Sequence, residues 1–209
     1  QVSPTPPPLR TALRAGTRDL HDRTEAAFVL AADDLTRAEY AAVLARLLTL
    51  HSSAEGALDP WTGALAAYGV DLAARTRSPL LRRDLAALAP DDPPGRPPAA
   101  GITAPTPAHA LGILYVLEGS TLGGQLLRRR IEARLGLTPA TGLAFLTAYG
   151  TDVGAMWRAF SEALDRCDAA LDPAARATTH AHAVAGARAA FLAFEREVVA
   201  PTARRPVAA

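Results

Sequence analysis

"HALGILYVLEGSTLGGQLLRRRIEARLGL", residues 109–137, is apolar at helical spacing through most of its length, yet it holds Gly119, Gly123 and Gly124 around a Ser120–Thr121 pair. A glycine inside a helix costs about 1 kcal/mol relative to alanine. In a chain that uses alanine freely elsewhere, the run surrenders roughly 2–3 kcal/mol of helix stability to something that requires the absence of a Cβ.

Outward from this stretch, caps and apolar residues at 3–4 residue spacing recur and strand signals are nearly absent, which predicts an all-α fold. "LRTALRAGTRDLHDRTEAAFVL" (9–30) sets Leu9, Leu13, Leu20 and Phe28 on one stripe. "LTRAEYAAVLARLLTLHSSAEGAL" (35–58) opens with Thr36 and Glu39, the spacing of a capping box. "SPLLRRDLAAL" (78–88) offers Ser78 as cap before Pro79, and the segment from 172 repeats the device with Asp172 and Pro173. The Pro- and Gly-rich 90–107 reads as a connector, and about 1–8 and 200–209 as frayed ends of a single domain spanning 1–209.

Composition narrows the function classes. Twenty-two basic and 21 acidic residues leave a net charge of +1, so nothing points to nucleic acid or an anionic membrane as partner. Every basic residue other than histidine is arginine, so a carboxylate ligand meets guanidinium forks. The lone Cys167 rules out an intrachain disulfide and suits a reducing compartment. No uninterrupted apolar run of roughly 18–20 residues is evident, and the start lacks a signal-peptide core, so the expectation is a cytoplasmic protein without a membrane partner.

Five histidines carry the candidate chemistry. His180 and His182 point to opposite sides of a helix and read as surface or half-buried residues, and His109 as a capping or surface residue. The paired Glu-x-x-His of di-iron bundles is missing, as are zinc spacings and a phosphate-cradling loop. "HDRTE" (21–25) and "HSSAE" (51–55) each put an imidazole and a carboxylate one turn apart on a helix face, where the carboxylate can orient a metal-ligating ring. The pair at 51 has no other site-like residues around it and reads as structural. The pair at 21 shares its stripe with Arg14 and Thr17.

"LRAGTRDLHDRTE" (13–25) resembles the proximal helix of heme oxygenases, and "LYVLEGSTLGGQ" (114–125) the distal helix of their bacterial branch. "FLTAYGTDVGAMWRAF" (145–160) and "ARAAFLAFERE" (187–197) are similar to two further family segments in the same order. The resemblance implies a helical bundle with a kinked, Gly-rich distal helix that sandwiches heme. His21 is then the iron ligand and Glu25 its orienting carboxylate. Gly119, Gly123 and Gly124 let the distal backbone approach the ring, and Gly119, Ser120 and Gly123 form the catalytic wall where O2 binds. Arg14 and Arg158 are implied as partners of the heme propionates, Thr17 as a further residue of the proximal face, and Tyr115, Phe191 and Phe194 as pocket lining. Animal relatives carry Asp where this chain has Ser120, which reads either as a distal hydrogen-bonding residue or as a helix-bending one.

The implied reaction is O2- and electron-dependent opening of heme to biliverdin, with CO and ferrous iron released, heme being both substrate and cofactor. The sequence has no flavin or nicotinamide signature, so an external reductant, a ferredoxin or flavoprotein, is implied. "RRRIEAR" (128–134) is either its dock or a solvated face. Likeness to the bacterial enzymes that supply phytochromes implies a phytochrome as acceptor of the product. Two rival readings stay open: a heme-binding or carrier protein without turnover, and a thiaminase-like enzyme of the same broad fold.

Overall fold

The computed structural model describes residues 7–27, 35–89 and 100–199. Phe28, the outermost ends and most of the Pro-rich connector lie outside them. Among the described residues there are eight α-helices and no strand: α1 Leu9–Ala27, α2 Arg37–Leu58, α3 Thr62–Ala66, α4 Ser78–Leu88, α5 Pro107–Leu135, α6 Ala144–Thr147, α7 Val153–Ala169 and α8 Pro173–Phe194. A π-helical turn, Glu195–Val199, continues α8.

Local signals start most of these helices. Thr36 accepts from the Glu39 backbone and Glu39 answers to the Thr36 backbone, the predicted capping box of α2. Asp172 accepts from the Ala174 N–H at the head of α8. Thr106 caps α5 and Gly136, in the left-handed region at φ 63°, ends it. The cap predicted for α4 is corrected: Ser78 is already helical, and the carboxylate of Glu55 on α2 accepts from the Arg77 and Ser78 N–H groups at 2.7 and 3.0 Å. Asp84, fully buried, does the same for α6, accepting from Ala144 and Phe145 at 2.8 Å each. These two carboxylates, one half-buried and one buried, fix the ends of short elements to their neighbours.

The centre of the molecule is the crossing of α5 on α8. A Cβ at Gly112 would collide with the Ala183 carbonyl oxygen, and one at Gly186 with that of His109. The two helices therefore touch backbone to backbone at glycines the sequence analysis did not single out. Beside this contact His109 and His182 stack with ring centroids 4.8 Å apart. His180, expected nearer the surface, is buried, its Nε2 2.7 Å from Asp168, which also accepts from the Leu9 N–H at 3.3 Å.

Helix α1 lies on the other flank of α8, burying Leu9, Leu13, Thr17 and Leu20. Arg188 of α8 holds it from outside, donating to the Gly16 carbonyl and to both carboxylate oxygens of Asp19. Helix α5 is long and apolar enough to cross a membrane by length and composition, which the sequence analysis did not expect. Its packing on α6, α7 and α8 supplies protein partners for those side chains, and it carries a buried glutamate, Glu118. Helical structure is continuous through Gly119, Gly123 and Gly124.

Candidate functional site

Because α1 and α5 both rest on α8, a gap opens where they face each other. It is a cavity of about 390 Å³ walled by His21, Thr24 and Glu25 of α1, residues 115–117, 119–125 and 127 of α5, and Ala190, Phe191 and Phe194 of α8. Leu47, Leu50 and His51 of α2, Phe145 and Leu146 of α6, and Val153 and Trp157 of α7 close it. The wall is mostly apolar, so its few polar groups decide what it can recognise.

The His21 side chain is 61% exposed and turns toward this space, its ring edge-on to Phe191 with centroids 6.2 Å apart. Nδ1 lies 3.7 Å from Asp22 and 3.8 Å from Glu25. Both distances exceed hydrogen-bond range, so Glu25 stands near the ring without being bonded to it here. Tyr115 lines the cavity against Trp157, centroids 5.7 Å apart; burial pushes its phenol pKa up and the Arg14 charge pulls it down.

The opposite wall is backbone. A Cβ at Gly123 would meet nothing within 4 Å, one at Gly119 would touch Trp157 at 3.7 Å and one at Gly124 Leu146 at 3.9 Å. Alanine fits the protein at all three positions, unlike at Gly112, so nothing in the protein's own packing demands these glycines. What they keep clear is the cavity. Ser120 donates to the Leu117 carbonyl at 2.7 Å and Thr121 to that of Glu118 at 2.6 Å. The Ser120 proton is thereby engaged by the helix, and the residue lines the cavity.

One expectation is corrected. Thr17 is buried in the α1–α8 face with its hydroxyl bonded to the Leu13 carbonyl at 2.8 Å, and it does not line the cavity. Spacing put it on the His21 stripe, but Thr17 sits on the core side of that stripe and His21 at its edge. Arg14 and Arg158 are both exposed and are not part of the wall. Arg14 stays close enough to Tyr115 for its charge to be felt, while Arg158 lies beside Gly154.

A second polar group was not legible in the sequence. His51 is fully buried in the wall, its ring edge-on to Phe145 at 5.2 Å, with Nδ1 unpartnered. Its pKa is pushed down to about 3, first by burial and then by the Arg77 charge, so it is neutral. Glu55, its expected partner, caps α4 instead. Arg77, also buried and lining the cavity, stacks its guanidinium 3.7 Å over the Tyr149 ring while Nε and Nη2 have no partner among the described residues. Tyr149 donates to Glu118 at 2.8 Å, and the other Glu118 oxygen pairs with buried Arg75. Thr24, whose buried hydroxyl also lacks a partner, completes the missed set.

Residues 7–200 match the family model for heme oxygenase. The chain belongs to the heme oxygenase family. A heme oxygenase from Xanthomonas campestris pv. campestris (strain 8004) is 35% identical over 160 residues, which span 74% of this chain and 86% of that protein. The fold is similar to heme oxygenase from Leptospira interrogans, with a TM-score of 0.72 at 21% identity over 90% of this chain and 98% of the other. It is equally similar to the NO- and CO-bound heme oxygenase from Neisseria meningitidis, at a TM-score of 0.72 and 24% identity over 97% and 95%. Within this heme oxygenase family chain, two of the four segments carrying the sequence resemblance, 13–25 and 114–125, stand on facing walls of one cavity, and residues of the other two help to close it.

Proposed function

We propose that the chain opens heme to biliverdin, CO and ferrous iron in the α1–α5 cavity, drawing on O2 and an external electron donor. One observation carries this reading: an exposed imidazole, His21, and a stretch of helix that lacks a Cβ at Gly119, Gly123 and Gly124 share an apolar cavity. The residues suit the group, since a flat macrocycle needs a nitrogen ligand, close backbone and apolar walls. When bound, heme supplies the redox-active iron and is itself the molecule cleaved.

The protein contributes position and exclusion. His21 would hold the iron, and Glu25, 3.8 Å from Nδ1, stands where a carboxylate can orient the ring. Phe191, Trp157 and Leu146 keep bulk water from the faces of the ring. The backbone at Gly119 and Gly123 sets how close the ring can come and which of its edges stays open. Arg14, whose charge reaches Tyr115, is our partner for a propionate.

For the donor we propose a ferredoxin or flavoprotein, since the sequence carries no flavin or nicotinamide signature, and for the product's acceptor a phytochrome, from the sequence likeness alone. The single buried Cys167 suits the cytoplasm, where we place the protein. The test is turnover: with heme, a ferredoxin-type reductant and oxygen, the Soret band should vanish as biliverdin absorbance rises. Stable ferrous heme under oxygen would instead make this a heme carrier.

A further inference from the structure

We infer that Arg23 and Glu195 are positioning residues for the iron ligand: their ion pair, together with that of Asp19 and Arg188, fixes where His21 stands along α8. The inference rests on the proposed heme site. Helices α1 and α8 run in step, with Gly16 against Val184, Asp19 bonded to Arg188, His21 edge-on to Phe191 and Arg23 bonded to Glu195. Up to Leu20 it is packing that holds α1. Leu9, Leu13, Thr17 and Leu20 are buried, Asp168 of α7 accepts from the Leu9 N–H, and Asp165 pairs with Arg10 at 2.9 Å. Past Leu20 that changes. His21, Asp22, Arg23 and Glu25 are exposed and Thr24 is half-buried, so the turn that carries the imidazole buries no whole side chain against α8.

A guanidinium fork holds this turn instead. Arg23 donates from Nε to one Glu195 oxygen at 2.9 Å and from Nη2 to the other at 2.5 Å, two bonds that set orientation as well as distance. Arg188 makes the same two-pronged contact with Asp19, at 2.7 and 3.0 Å. The signs alternate, acid then base along α1 and base then acid along α8. Sliding α1 along α8 carries Asp19 toward Glu195 in one direction and Arg23 toward Arg188 in the other, like charge against like, so the two pairs specify one register. Leu192, which falls between Arg188 and Glu195, is 45% exposed, so apolar packing does not close this part of the seam. Glu195 also opens the π-helical turn, where Arg196 donates to the Ala100 carbonyl and Val198 is buried. The carboxylate that places Arg23 is therefore tied to the frame. Exposed ion pairs add little to stability, so the effect of this one falls on the ligand's placement rather than on folding.

The iron–histidine bond is the readout. Heme complexes of the parent, Arg23→Gln, Glu195→Gln, the double glutamine variant and the reversal Arg23→Glu/Glu195→Arg are compared in two ways: by the iron–histidine stretching band of the ferrous form in resonance Raman spectra, and by the rate at which ferric heme passes to excess apomyoglobin. Heme-free, all should keep the parent's helix content by circular dichroism, since the altered side chains are at the surface. Arg23→Gln and Glu195→Gln should each shift or broaden the band and speed heme loss several-fold. The double variant should do no more than either, because both remove the same pair, and the reversal should bring band and rate back toward the parent. A purely structural pair would move neither the band nor its recovery on reversal. Band and rate unmoved by Arg23→Gln, or losses from the two glutamines that add, overturn the inference while the heme site stands. A parent without an iron–histidine band overturns the site itself and the inference with it.

Discussion

His51 shows what burial does to a single titratable group. Its pKa is pushed to about 3 in the folded chain, against about 6.5 when unfolded. Between those values the unfolded chain takes up a proton that the folded chain refuses, so stability is full above pH 6.5 and falls as pH drops toward 3. By pH 5 the loss amounts to about 2 kcal/mol. In heme-free protein unfolded with urea at pH 8 and pH 5, His51→Gln should lose that much less between the two than the parent does; identical losses would mean that His51 is not held neutral. Gly123 makes the complementary case. With nothing within 4 Å of its missing Cβ, Gly123→Ala should stabilise the heme-free protein by about 1 kcal/mol while weakening heme uptake. A destabilised heme-free variant would show that the glycine serves the fold rather than the cavity.

Among the elements, glycines on one helix have opposite meanings. Gly112, on α5 as Gly123 is, meets the Ala183 carbonyl, so Gly112→Ala must part α5 from α8 and should destabilise by about 3 kcal/mol in the same urea assay. A neutral Gly112→Ala would mean the crossing is looser than its backbone contact implies. The sequence reveals that α5 tolerates glycine, but not which partner each faces, since that depends on α8, some 70 residues away. The caps divide the same way. Thr36 with Glu39 and Asp172 with Pro173 are local and were legible, whereas α4 takes its cap from Glu55, 22 residues earlier. Thr17 was misplaced for a related reason: periodicity finds a stripe but not where its buried side ends.

At the scale of the whole molecule, α8 is the beam on which α1 and α5 are mounted, and the cavity is the gap they leave. The segments flanking that gap could be read because each carries its own chemistry, a His-Glu turn on one and a cluster of glycines on the other. His51 and Arg77 could not, since their roles come from Phe145, Tyr149 and Glu118, which only the assembled fold brings near them. Two imidazoles now line one cavity, and only one can hold the iron as described. The deciding measurement is the visible spectrum of the ferric heme complex of His21→Gly, before and after adding free imidazole. The expected result is loss of the parent's axial-histidine spectrum and its return with imidazole; an unchanged spectrum without imidazole would assign the iron to another side chain, His51 first, and contradict the proposed site.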